Sequence, residues 1–311
     1  MTITIAAVAI GSNSDLSITA PIQPNTPGVR NYIPGLIGGL SSRGKRIGTD
    51  YVIAYRQRTE AYLYNSPGGA EEAFAGDLIF CMSSTVVRAA QNFTKEVGIV
   101  GIVSDPEDHI GGENFHHSNN ICGVSAQRHQ TADKCFDNFV QTTVPHLNAV
   151  IPLHKTDYNP SIQALALVEK EARQKHIAIP TVLQAYDQDT LNKVLADLPS
   201  SAKTGLLILP ADLFFANAPN IINAAQHKLP THFFTPDWVS PALPSAVSGW
   251  GVSQLTCGEL MAERVKYVWD KGVPIPETRW VDAPPSAFDW RASIAAARAL
   301  NITLAEKVPK M

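Results

Sequence analysis

Between Leu78 and Ser125 the chain reads L-I-F-C-M-S-S-T-V-V-R-A-A-Q-N-F (78–93), then V-G-I-V-G-I-V-S-D-P (97–106), then N-I-C-G-V-S (120–125). This is an apolar run, a small-residue turn, a helical pattern, a second apolar run and a polar turn in immediate succession. Short apolar runs bounded by turn residues are buried strands, and a helix crossing between two of them implies a parallel sheet. The first run ends in Ser83, Ser84 and Thr85 at the mouth of the helix. Hydroxyls and unpaired backbone N–H groups meet there, where a small anion or carboxylate can dock. In a parallel α/β sheet, that position is the edge of a ligand cleft.

The same alternation extends through the chain. Strand-like runs at 3–10, 50–56, 78–82, 97–103, 149–154, 180–185, 205–210 and 231–234 are separated by helix-length patterns at 29–42, 85–94, 131–144, 160–175, 187–198 and 218–227. Strands and helices at this spacing predict an α/β architecture with parallel sheets. Several strands end in polar or Pro-containing turns: Gly11-Ser12-Asn13, Ser104-Asp105-Pro106, Tyr158-Asn159-Pro160, Pro210-Ala211-Asp212 and Pro236-Asp237-Trp238. Ligands bind outside the carboxyl ends of strands in such sheets, so these turns are the candidate site. After Trp238, the run V-S-P-A-L-P-S-A-V-S-G-W-G cannot be a regular helix and reads as a connecting segment, followed by a helix over 255–271.

Composition narrows the possible functions. At 311 residues and 45% hydrophobic, the chain can bury a sizeable core, and its length favours two domains of roughly 150 residues. The 28 acidic and 25 basic residues leave a formal charge of −3 with no Lys/Arg block, so no nucleic-acid partner is expected. Cys81, Cys122, Cys135 and Cys257 show no C-x-x-C spacing and read as buried thiols. Residues 1–10 are apolar but too few for a membrane span, and they read as a first strand. His109, His116 and His117 lie near Asp108 and Glu113, but the spacing fits no zinc helix pattern, so no metal is assigned. No cofactor is assigned either. There is no G-x-S-x-G, no G-x-x-x-x-G-K-[ST] and no G-x-G-x-x-G, so the residues give catalysis no support.

In the order of its segments, the chain resembles the substrate-binding proteins of ABC transporters, in the family of the bacterial tryptophan- and phenylalanine-binding lipoproteins. The segments are G-L-I-G-G-L-S-S-R-G-K-R-I-G-T-D-Y-V-I-A-Y-R (35–56), M-S-S-T-V-V-R-A-A (82–90), V-S-D-P (103–106), C-G-V-S (122–125), Y-N-P (158–160) and D-W-R-A-S-I-A-A-A-R-A-L-N-I-T-L (289–304). Each is short and made of common residue types, and their order from about Pro34 to Lys310 carries the resemblance. The chain departs from the family at F-H-H-S-N-N (115–120) and at G-W-G-V (249–252), beside the expected cleft.

The resemblance implies two Rossmann-like lobes with parallel sheets joined by three hinge crossings, the periplasmic binding protein-like I fold. One lobe would comprise 1–122 with about 249–280, and the other 123–248 with about 281–311. It implies a non-enzymatic, periplasmic or membrane-anchored extracytoplasmic monomer. Such a protein closes by hinge motion on a small carboxylate-bearing solute, an amino acid or an aromatic or branched acid, and delivers it transiently to an ABC permease. The implied ligand contacts are Ser12, Ser83, Ser84, Thr85, Ser104, Asp105, Tyr158, Asn159, Asp212, Asp237 and Trp250, and the implied hinge is Gly123, Val124, Ser125, Gly251 and Val252. Phe214 and Trp238 are further candidate walls. A plain helix cap needs only one of the three hydroxyls at 83–85, and the aspartates can equally cap helices. The alternative reading is a two-lobed α/β enzyme or ligand-sensing domain acting on a similar small molecule.

Overall fold

The computed structural model describes residues 2–26, 29–104, 120–128, 130–271 and 280–311. The strands, in chain order, are β1 (Ile3–Ile10), β2 (Ser14–Ile18), β3 (Tyr51–Arg58), β4 (Leu78–Cys81), β5 (Gly98–Val103), β6 (Ile121–Ser125), β7 (Ala149–Lys155), β8 (Leu183–Ala185), β9 (Thr204–Ile208), β10 (Thr231–Phe233), β11 (Ser248–Val252), β12 (Trp280–Asp282) and β13 (Phe288–Ala292). They form a seven-stranded sheet in the order β12-β6-β5-β4-β1-β3-β2 and a six-stranded sheet in the order β13-β11-β10-β9-β7-β8. All pairings are parallel except β2 with β3 and β13 with β11, so each sheet carries one antiparallel edge strand.

The chain divides into two compact units, Met1–Gln127 with Gln254–Pro284, and Arg128–Ser253 with Pro285–Met311. These boundaries lie a few residues beyond those expected from the sequence. The reason is local: β6 completes its pairing with β5 in the first sheet before the chain leaves it, and β11 completes its pairing with β10 in the second. Gly249 to Val252 therefore belong to the second unit, whereas the sequence reading assigned them to the first.

In the first unit, β4 and β5 are wholly buried, as apolar central strands covered on both faces must be. Helix Ser84–Phe93 covers one face with Val86, Val87, Ala89 and Ala90. The other face is covered by helix Gln254–Lys271, which packs along β4, β5 and β6 and against helix Tyr32–Ser41. Glycines set how closely those two helices approach. A Cβ on Gly258 would sit 2.2 Å from the Tyr32 carbonyl oxygen, and one on Gly35 would sit 2.0 Å from that of Leu255.

In the second unit, the period-2 alternation of each strand divides the core into two clusters, one per face. Val150, Leu207 and Leu209 join Phe136, Phe139, Val168 and Ala292 on one side; Ile151, Leu153, Leu206 and Ile208 join Leu191, Phe214 and Ile221 on the other. Two histidines sit in this interior. His232 is fully buried, stacks on Phe139 at 4.9 Å, and shares a 2.7 Å hydrogen bond between its Nδ1 and Ser248 Oγ. Burial lowers its pKa to about 3, so it is neutral in the folded protein at ordinary pH. His154 is also buried, has no hydrogen-bond partner on either ring nitrogen among the described residues, and has its pKa lowered by that burial.

The segment that reads as connecting contains β11 from Ser248 onward, paired on both sides. All four cysteines are buried and none is in a disulfide. Among the described residues, no helix is long and apolar enough to cross a membrane, and no group of three or more His, Cys, Asp or Glu is arranged to hold a metal ion.

Candidate functional site

In the first unit, Ser12, Ser83–Thr85 and Ser104 all follow the carboxyl ends of neighbouring parallel strands, β1, β4 and β5, so the fold brings them to one edge of one sheet. Their hydroxyls are not equally placed to serve a ligand. Ser83 is the N-cap of helix Ser84–Phe93: its backbone is extended and its Oγ accepts from Val86 N at 3.3 Å. Ser84 Oγ accepts from Ser104 N at 3.4 Å, and Ser125 Oγ donates to the Ser104 carbonyl at 3.4 Å. These three buried serines tie together the ends of β4, β5 and β6. Thr85 is half-buried in the first helical turn, and its carbonyl accepts from Tyr64 Oη at 3.0 Å. Ser12 is exposed. Asp105, with His109, His116, His117, Asp108 and Glu113, lies outside the described residues.

In the second unit, Tyr158 and Asn159 follow β7, Asp212 follows β9 and Asp237 follows β10. β7, β9 and β10 are consecutive in the sheet, so these residues also share one strand-end edge. Tyr158 is the N-cap residue of helix Asn159–Gln174, half-buried against the cluster that holds Phe214, while Asn159 is exposed. Asp237 is held by Thr235, whose hydroxyl donates to its carboxylate. Trp250 differs from the others in lying within β11, opposite Trp290 and stacked on Phe288 at 5.0 Å. Phe214 is fully buried and Trp238 packs on the same core, so both are core residues before they are ligand walls.

Asp212 differs from Asp237, the other candidate acid among the described residues, in having an acceptor oxygen left without a hydrogen bond. It opens the short helix Asp212–Ala216, and its Oδ2 is buried with no hydrogen-bond partner among the described residues. A buried polar atom without a partner is costly, and cores seldom keep one without a use for it. In the same short helix, the Phe215 ring lies under the Arg128 guanidinium at 4.5 Å.

The residues expected to form the hinge are strand residues. Gly123, Val124 and Ser125 pair with both β5 and β12, and Gly251 and Val252 pair with β13. Gly251 is nonetheless a required glycine: its φ is +146°, and a Cβ there would sit 2.4 Å from the Phe234 carbonyl oxygen. The chain passes between units after these strands, at 127/128, 253/254 and 284/285.

Sequence reasoning missed one constellation altogether. At the carboxyl ends of β1 and β3, Asn13, Ser14, Asp15, Arg58, Tyr62 and Glu72 line a pocket of about 290 Å3. Arg58 is only 3% exposed, and its guanidinium donates to Asp15 Oδ2 at 3.0 Å, to Glu72 Oε1 at 2.9 Å and to the carbonyls of Ser14 and Gln57. Tyr62 lies 5.3 Å from that guanidinium and donates its hydroxyl to Glu72. The hydrogen bond from Arg58 holds Asp15 below the usual carboxylate range, and that from Tyr62 does the same for Glu72. The one sequence signal was the doublet Arg56 and Arg58 at the end of an otherwise apolar strand.

No protein-family model and no curated protein sequence matches the chain. Solved structures do match it, over nearly its full length. A conserved domain protein from Vibrio cholerae superposes with a TM-score of 0.73 at 17% identity, covering 98% of this chain and 97% of the other. The ABC domain in complex with L-Trp from Streptococcus pneumonia gives 0.71 at 13% identity, covering 99% and 100%. An ABC transporter solute-binding protein from Agrobacterium vitis with bound D-fucose gives 0.57 at 11% identity, covering 92% and 94%. With two parallel-dominant sheets in this strand order and these structural counterparts, the chain has the fold of ABC-transporter solute-binding proteins, the type I periplasmic binding protein fold.

Proposed function

We propose that this chain is the solute-binding component of an ABC importer, holding one small molecule without turning it over and delivering it to a membrane permease from outside the cytoplasm. The observation that carries the reading is Asp212, whose buried carboxylate oxygen, unpartnered among the described residues, lies at the strand-end edge where α/β sheets take ligands. A carboxylate is acceptor-only, so its missing partner is a donor: an ammonium or a hydroxyl. The helix mouth at Ser83–Thr85 has the opposite character, because backbone N–H groups and the helix dipole favour an anion. Taken unit by unit, Asp212 calls for a solute with a donor group, and the Ser83–Thr85 helix mouth for a solute with a carboxylate. An amino acid with an aromatic or branched side chain is the simplest molecule with both groups, with Tyr158 and Trp250 as candidate flat surfaces. The L-Trp bound to the Streptococcus structure is in keeping with this class.

Closure on the ligand is proposed to pivot on the segments that follow β6, β11 and β12 and not on the paired strands themselves. Thermal-shift screening of the common amino acids and aromatic acids tests the function. A true ligand at 100 times its Kd adds about 2.7 kcal/mol of stability, and small-angle scattering should then show a smaller radius of gyration. A screen with no stabilising solute refutes the amino-acid class, and turnover of a bound solute refutes the transport reading.

A further inference from the structure

The pocket at the ends of β1 and β3 includes none of the strand-end residues assigned to the solute above, and it has a chemistry of its own. Its acceptors face outward while its donors face inward. The Asp15 and Glu72 side chains are 57% and 53% exposed, whereas that of Arg58 is 4% exposed. The terminal N–H groups of Arg58 are engaged by Asp15, Glu72 and the Ser14 and Gln57 carbonyls, and its Nε is sealed inside with no partner among the described residues. A carboxylate oxygen has more than one lone pair, so Asp15 and Glu72 can each accept further hydrogen bonds while holding Arg58.

An anion entering this pocket would face two carboxylates and find the terminal guanidinium N–H groups engaged and the Nε sealed away from it. A cation gains little either. Arg56 lies close enough to act on the charge of both Asp15 and Glu72, so two guanidiniums balance two carboxylates. What the pocket does offer is a set of fixed acceptors, the exposed amide of Asn13, the hydroxyl of Ser14 and the flat ring of Tyr62. Its volume, about 290 Å3, is near the lower end of small-molecule sites, roughly 300–1,000 Å3.

We propose that this pocket is a second small-molecule site, independent of the amino-acid reading, which takes a neutral polyhydroxylated solute the size of one sugar ring through hydroxyl hydrogen bonds to Asp15 and Glu72. Binding orders no ion pair anew, because the Arg58 network is already assembled, so the charge-assisted acceptors are in place before the ligand arrives.

Saturation-transfer NMR and calorimetry with D-ribose, D-glucose, D-galactose and myo-inositol as probes test this on the full chain. At least one probe is expected to bind saturably. Asp15→Asn and Glu72→Gln should each weaken it at least tenfold, while Asp212→Asn leaves it unchanged. Since those two changes loosen the hold on a buried arginine, Asn13→Ala and Tyr62→Leu, which spare both ion pairs and remove the amide and the ring, decide the matter if the first two fail to fold. They should weaken binding several-fold with the melting temperature retained. Absence of binding by all four probes overturns the proposal. So does binding that the pocket variants leave intact but Asp212→Asn abolishes, which would place the polyol in the other site. Preferential capture of putrescine over all four probes overturns the ligand class.

Discussion

Asp212 and Ser83 were both expected to touch the solute, yet the structure gives them opposite energetic signatures. Asp212 holds a buried carboxylate oxygen with no partner among the described residues. Replacing it with Asn keeps its shape and removes the charge. In the ligand-free protein, two small effects then oppose each other. Relief of an unpaired buried charge stabilises, because an unmet buried polar group costs about 1–3 kcal/mol. Loss of an acid from the first turn of helix Asp212–Ala216 destabilises, by about 0.3–1 kcal/mol. The net change in unfolding free energy should therefore lie between zero and about 2.7 kcal/mol in the stabilising direction.

Binding should respond in the other direction. A hydrogen bond to a charged group contributes about 1.5–3 kcal/mol, and about 1.4 kcal/mol is a factor of ten. The amino acid found by thermal shift should then bind roughly 10- to 150-fold more weakly to Asp212→Asn. Urea unfolding without ligand and calorimetry with it measure the two quantities on the same protein preparation. A variant that unfolds more than 1 kcal/mol more easily would mean that Asp212 has a structural partner, and unchanged affinity would remove it from the site.

Ser83→Ala should show the reverse, a loss of about 0.5–2 kcal/mol in ligand-free stability, because the Val86 N–H loses its cap. A shift in the urea midpoint checks it, and no shift would show that the cap is dispensable. Gly258→Ala should destabilise by about 1–3 kcal/mol, since the added Cβ meets the Tyr32 carbonyl oxygen at 2.2 Å and Leu36 N at 2.8 Å, both backbone atoms that cannot rotate away. A melting temperature equal to that of the parent would contradict the close helix contact. Acidification should unfold the protein partly through His232. Its folded pKa is depressed to about 3, so between 6.5 and 3 the unfolded chain binds a proton that the folded one does not. Stability from this group is whole above pH 6.5 and falls by up to about 1.4 kcal/mol per pH unit below it. His232→Gln, which keeps a partner for Ser248, should flatten the dependence of urea midpoints on pH between 6.5 and 4, and an identical slope in both proteins would refute the assignment.

What could be read in the sequence was what local patterning determines. The parallel strands β4, β5, β7 and β9 stand out because both their faces are buried and their residues are almost continuously apolar. The edge strand β2 does not: Ser14–Ile18 is mostly exposed, and only its pairing with β3 makes it a strand. The same holds for β6, β11 and β13, where Gly123 and Gly251 read as turns or hinges. A glycine in a strand and a glycine in a turn look alike until the neighbouring backbone is known. Gly123 lies so close to the Gly101 carbonyl that a Cβ would come within 1.8 Å of it.

The site divides along the same line. Among the described residues, the candidates that follow a strand lie at strand ends, since chain order alone puts them there, but the use of each hydroxyl depends on residues far away in sequence. Ser84 is tied to Ser104, and Ser104 to Ser125, across three strands. The Arg58 pocket is the extreme case. Asp15 is 43 residues from Arg58, and Glu72 is 14 residues beyond it. They meet because β2 folds back antiparallel on β3, and because the short helix Gly69–Ala73 returns over the end of β3. No periodicity marks either event. A buried arginine therefore becomes visible as the centre of a pocket only once the sheet order is known, and because its terminal N–H groups are engaged, the ligand chemistry belongs to the acceptors that hold it, Asp15 and Glu72.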